Sequence, residues 1–184
     1  MAQDAEWGAS MRLDSLDRLP WPLTLSATRN NKLANQYGKS LGAESRYLGI
    51  NINFSPVVDL NTNPKNPIIG QRSLGSDLSN VNNLSTQQIW GIQSQGVMAC
   101  AKHFPGHGDT ETDSHKTLPT LSHDLQTFRS REMAPFVNAI HSGVDAIMVA
   151  HLNIPALDST RTPASLSRPI VTPVSYTHLR AHET

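Results

Sequence analysis

Three glycines, Gly49, Gly96 and Gly143, stand at even intervals, and each ends a stretch of helical periodicity and opens a short apolar run. Ahead of Gly49, the residues Leu33, Tyr37, Leu41 and Leu48 recur at helical spacing, as do Val81, Leu84, Ile89 and Ile92 ahead of Gly96. Ahead of Gly143 come Leu125, Phe128, Phe136, Val137 and Ile140, a helix that must accommodate Pro135 through a kink. The runs that follow are "ININFSPVVDL", where Ile50, Ile52 and Phe54 alternate with polar residues, then "VMACAKHF" and "VDAIMVAH". Glycine just past a helix is a common stop, because it adopts positive φ without a Cβ penalty. The pattern therefore predicts repeated helix, glycine, strand and loop units. Parallel strands joined by right-handed helical crossovers form either an open doubly wound sheet or a (β/α)8 barrel.

Both architectures place function at the carboxyl ends of the strands. Here those ends carry Asp59, the pair Lys102 and His103, and His151, whereas the strand starts carry only glycine and apolar residues. The asymmetry marks one rim of the sheet as the site. At 184 residues the chain is short for a closed barrel, which typically needs about 250. Lysine plus arginine and aspartate plus glutamate number fifteen each, so no net field draws the protein to nucleic acid or an anionic membrane. The balance points instead to a neutral or locally recognised ligand. No run is long enough to span a membrane, and the lone Cys100 excludes an internal disulfide framework. Compartment, whether cytoplasm or periplasm, and oligomeric state are left open.

The densest chemistry lies in "KHFPGHGDTETDSH", residues 102–115. Its "GHG" lacks the third glycine and the immediate helix of a dinucleotide loop, and no GK[ST] occurs anywhere, which argues against a phosphate cradle. His103, His107, Asp109, Asp113 and His115 are all acceptable ligands for zinc or another divalent ion. Pro105 and Gly106, however, prevent the helix that would stack His103 and His107 on one face. A metal-dependent hydrolase built on this cluster is the rival reading.

Six landmarks, "DAEWGASMRL", "INFSPVVDL", "QRSLG", "KHFPGHGDTETDSH", "DAIMVAH" and "PASLS", occur in the order found in glycoside hydrolase family 3 barrels. The chain resembles in particular their bacterial β-N-acetylglucosaminidase (β-N-acetylhexosaminidase) branch, departing from it at Trp7, where many members have a second glycine. The resemblance implies a partial (β/α)8 TIM barrel of central βα units and a retaining glycosidase that releases terminal β-linked N-acetylglucosamine, for example from peptidoglycan fragments. It implies no cofactor and a carbohydrate as the partner, and its own alternative is a non-catalytic sugar-binding relative. By the same resemblance, Asp4 binds sugar hydroxyls, Arg12, Arg72, Lys102 and His103 supply the other substrate contacts, and Asp113 and His115 form the acid/base dyad. Charged side chains grip vicinal hydroxyls with short hydrogen bonds, and arginine does so with a rigid fork. Trp7, beside the site, is also placed to meet a sugar ring.

The dyad makes physical sense on its own terms. An imidazole titrates near neutrality, so His115 can give a proton to the leaving oxygen and take one back from water. A carboxylate two residues away can accept the Nδ1 proton and fix the tautomer. The loop around it contains Gly108, Thr110 and Thr112 and is expected to close over substrate. A retaining enzyme also needs a nucleophilic carboxylate, which in this family ends the strand beyond "PASLS". Residues 1–172 are therefore expected to be a fragment of the barrel domain that is inactive alone, and residues 173–184 to be an adapter-like, non-native tail. The remaining assignments are plainer: His107 is expected to hold loop backbone, Asp59 to pin its own loop, His123 and His141 to be solvated, and Trp21 and Trp90 to pack.

Overall fold

A computed structural model describes residues 1–111 and 118–172. Four strands, β1 (Ala2–Gln3), β2 (Ile52–Asn53), β3 (Met98–Phe104) and β4 (Ala146–Val149), form one sheet in the order β1-β2-β3-β4, and every pairing is parallel. The intervening helices are α1 (Pro22–Ala27), α2 (Asn31–Tyr47), α3 (Leu78–Gln93), α4 (Leu125–Thr127) and α5 (Ala134–His141). A doubly wound sheet reverses its strand order at a switch point. This one advances in chain order throughout, and α2 packs on α3 and α3 on α5, as successive helices do around a barrel wall. The architecture is that of part of a (β/α)8 barrel. Among the described residues no helix is long and apolar enough to cross a membrane.

The three stopping glycines behave as their spacing predicts, with φ of 73°, 72° and 80° at Gly49, Gly96 and Gly143. The helix starts are equally local in origin: Asn30 and Asp77 cap α2 and α3 by accepting the Leu33 and Asn80 amides. The buried faces differ from the periodicity in instructive places. Leu33, Leu125 and Val137 are exposed, and α2 instead buries Ala34, Tyr37, Gly38, Leu41, Gly42 and Ser45. The small residues are there because α2 and α3 touch backbone to backbone. A Cβ at Gly38 would sit 2.4 Å from the Gln88 carbonyl oxygen, and one at Gly91 would sit 2.4 Å from that of Asn35.

The predicted third helix is interrupted. One π-helical turn, Phe128–Glu132, separates α4 from α5, and Pro135 falls in the first turn of α5, where its missing N–H costs nothing. The extra residue per turn brings Phe128 and Phe136 into the core together. In β2 the buried position is Asn53, whose Nδ2 donates to the Ala5 carbonyl and the Ser45 hydroxyl, while Ile52 and Phe54 are half-buried.

Alanine normally improves a helix interior over glycine by about 1 kcal/mol. Gly38→Ala should do the opposite, destabilising the protein by about 3 kcal/mol as the helices are forced apart. Gly49→Ala, where a Cβ meets nothing within 4 Å and only the positive φ is strained, should cost about 1 kcal/mol. Urea denaturation of both variants checks the order.

Candidate functional site

The carboxyl ends of β1, β2 and β3 and the residues after β4 converge on a cavity of ≈ 720 Å³. It is lined by Asp4, Arg12, Arg72, Lys102 and His103, all five described members of the predicted set, and also by His151. Asp113 and His115 lie outside the described residues, as does the 173–184 segment.

Lys102 anchors the arrangement. Its side chain is 1% exposed, and its Nζ lies 2.7 Å from Asp4 Oδ1 and 2.6 Å from Glu6 Oε1. Glu6, also 1% exposed, receives a fork from Arg72, Nε to Oε2 at 2.9 Å and Nη2 to Oε1 at 2.7 Å. Arg72 Nη1 donates to the Ile68 carbonyl, and Nη2 lies 3.4 Å from His103 Nε2. Because a guanidinium can only donate, that contact makes His103 Nε2 the acceptor and directs the Nδ1 hydrogen to Asp59 Oδ2, 2.7 Å away. At the open end Arg12 reaches Asp4 Oδ2 at 3.1 Å. Burial alone would raise the Glu6 carboxyl, but Arg72 and Lys102 outweigh it and hold it below the ordinary range. Asp4 follows the same pattern: burial raises it and Lys102 and Arg12 bring it lower.

Glu6 and Asp59 are the residues that sequence reasoning undervalued. Asp59 is fully buried, and it pins the end of β3 instead of its own loop. Its carboxylate accepts the His103 amide at 3.1 Å and the His107 amide at 2.7 Å in addition to the His103 ring. Burial pushes Asp59 up, yet His103 beside it and the His107 amide bring it below the usual carboxylate value. Glu6, the third residue of "DAE", gave no spacing signal; only its buried position beside a buried lysine exposes its role.

The pairing of β3 with β4 shifts register between Lys102 and Phe104, so His103 is an extra residue in the ladder. Successive side chains of a regular strand point to opposite faces, and a bulge re-aims them. Both Lys102 and His103 thereby line the cavity. The Lys102–His103 and Phe104–Pro105 bonds are cis. Beyond them the glycines serve packing: a Cβ at Gly108 would fall 1.7 Å from the Leu60 carbonyl oxygen. His107 holds the loop, its Nδ1 2.8 Å from Thr110 Oγ1, and burial lowers its pKa. Asn66, from the long loop after β2, donates to the His107 carbonyl and Thr110 Oγ1 and accepts the Ile68 and Ile69 amides.

The metal question has a different geometry from the one the motif suggested. Among the described residues, Asp109, His123 and Glu132 bring one ligand atom each within 4.8 Å of the others. Arg131 already occupies that cluster, donating to Glu132 Oε1 at 2.6 Å and Asp109 Oδ2 at 3.1 Å, with His123 Nε2 also 3.1 Å away. His123, expected to be solvated, is half-buried with its Nε2 2.7 Å from Asp109. His151 Nδ1 meets Ser165 Oγ of "PASLS" at 2.9 Å.

Removing one member of a buried ion pair strands its partner, at a cost of about 3 kcal/mol. Glu6→Gln should lose roughly that at pH 7. Since the folded Glu6 carboxyl lies below its ordinary value of 4.5, its contribution is present above that pH and fades as pH falls. The gap between wild type and Glu6→Gln in thermal unfolding should thus be widest near neutrality and shrink below about pH 4.5.

The model of the glycosyl hydrolase family 3 N terminal domain matches residues 1–179. β-Hexosaminidase A of Pseudoalteromonas piscicida is 38% identical over 156 residues, covering 82% of this chain and 26% of the relative. A glycoside hydrolase family 3 β-N-acetylglucosaminidase from Paenibacillus sp. str. FPU-7 superposes with a TM-score of 0.91 at 42% identity, over 97% of this chain and 34% of that one. NagZ from Neisseria gonorrhoeae in complex with N-trifluoroacetyl-D-glucosamine gives a TM-score of 0.86 at 32% identity, over 95% and 53%. The chain spans about half the length, or less, of the relatives it matches. With its parallel strands in chain order, its six motifs and a family match over nearly its whole length, the chain belongs to glycosyl hydrolase family 3.

Proposed function

We propose that the cavity binds the non-reducing terminal N-acetylglucosamine of a β-linked glycoside, such as a peptidoglycan fragment, and that the protein containing it is a retaining glycosidase. The observation that carries this reading is the charge-balanced array at the strand ends. Lys102, Arg72 and Arg12 pair with Asp4 and Glu6 at the cavity, and Asp59 lies buried behind His103, so three cations stand against three carboxylates and the cavity offers strong donors and acceptors. A neutral polyol suits such a site, because hydrogen bonds to charged groups are the strong ones and no counter-charge is demanded of the ligand. The names of the similar enzymes, β-hexosaminidase and β-N-acetylglucosaminidase, support the choice of sugar.

Within this reading Asp4 and Arg12, the half-exposed pair, grip hydroxyls directly. Lys102 has two acceptors within hydrogen-bond reach among the described residues, leaving its third hydrogen for the sugar. His103, held between Asp59 and Arg72, lines the cavity. Asp113 and His115 act as the proton shuttle: the imidazole protonates the leaving oxygen, and after a carboxylate has formed the glycosyl enzyme it deprotonates the attacking water.

Two substitutions separate binding from chemistry. In the whole protein, His115→Ala should lower turnover of a chromogenic N-acetyl-β-D-glucosaminide by about 100-fold or more, while N-acetylglucosamine still binds. Asp4→Asn should weaken binding of the same sugar by about tenfold, which calorimetric or NMR titration measures. Normal turnover of an unactivated glycoside by His115→Ala would sink the acid/base assignment.

A further inference from the structure

Trp7 is the largest of the side chains that line the cavity outside its polar network. It lines the same cavity as Asp4 and Arg12 and is half-buried, so part of its indole faces the space the ligand would fill. Its position is fixed from behind. The Trp21 ring lies 4.2 Å away, centroid to centroid, tilted by 52°, and the Arg18 guanidinium sits over both rings, 4.6 Å from Trp21 and 5.8 Å from Trp7. The Trp7 carbonyl accepts the Leu19 amide at 3.2 Å, and the next residue, Gly8, takes φ 99°, which turns the chain sharply after the ring. Trp21 in turn caps the start of α1, so the pair is tied to a helix.

An indole held in this way loses little freedom when a ligand arrives. A pyranose bears hydroxyls around its rim and C–H groups on its faces. The charged side chains can satisfy the rim, but a dry face needs an apolar plane, and an aromatic ring beside convergent polar groups is the composition such a site requires. We infer that Trp7 is the platform on which the C–H face of the bound amino sugar stacks, and that it contributes to affinity for the ring independently of Asp4 and Lys102. This inference rests on the sugar-binding reading above.

The test is an NMR titration of the chain with N-acetylglucosamine, using wild type, Trp7→Ala, Trp7→Phe and Asp4→Asn. Trp7→Ala should weaken binding about threefold to tenfold and Trp7→Phe should recover most of the loss, since an aromatic contact is worth about 0.5–1.5 kcal/mol. In wild type, independent of whether the alanine variant folds, the ring C–H protons of the sugar should shift upfield and show cross-relaxation to the Trp7 indole. Equal affinity of wild type and a folded Trp7→Ala would overturn the inference, as would cross-relaxation confined to the acetamido methyl. If Asp4→Asn weakens binding while Trp7→Ala does not, the stacking role falls and the sugar site stands. If wild type binds no sugar, the functional reading falls and takes this inference with it.

Discussion

An ammonium group with almost no water around it has to be neutralised where it stands, and most of this rim follows from that demand. Lys102 is fixed by two carboxylates arriving from the end of β1, Asp4 and Glu6. Glu6 is shared with Arg72 from the long loop after β2, Arg72 touches His103, and His103 is held by Asp59. Carboxylates and cations alternate from Asp4 through Lys102 and Glu6 to Arg72, and the His103 ring carries the path on to Asp59 by hydrogen bonds. Displacing Glu6 would take a counter-ion from both Lys102 and Arg72, which ties the members of the path together. The same connectedness gives the cavity its rigidity, and a rigid set of donors is what a polyol needs if binding is to distinguish one arrangement of hydroxyls from another.

The region around Arg131 shows the same logic with a different result. Asp109, His123 and Glu132 are donors that a divalent ion would accept, yet a guanidinium stands among them and its hydrogens reach the oxygens and the imidazole nitrogen. Residue type names the candidates for a metal; what the neighbouring side chain does decides how they are used.

The βα frame was legible because its signals are local. A glycine past a helix, a cap before one and a change in apolar period each act within a few residues, and Gly49, Gly96 and Gly143 meet their predicted conformations. The face of α2 was only partly legible: Leu33 points outward because Gly38 and Gly42 let a neighbouring helix come close, and nothing within α2 announces that neighbour. At the site, Lys102 and His103 stood out through their place at a strand end, and Asp4, Arg12 and Arg72 through the resemblance alone. Glu6 and Asp59 gain their meaning from partners many tens of residues away. The register shift at His103, which turns two adjacent side chains toward one cavity, leaves no periodic trace at all.

Asn66 sews the loop after β2 to the turn after β3, giving both amide hydrogens to His107 and Thr110 while its oxygen takes two amides of its own loop. The two segments are consequently one mechanical body, although some forty positions part them in the chain. Grafts between homologous barrels would have to carry both pieces together, since either one transplanted singly would arrive with its stitching cut.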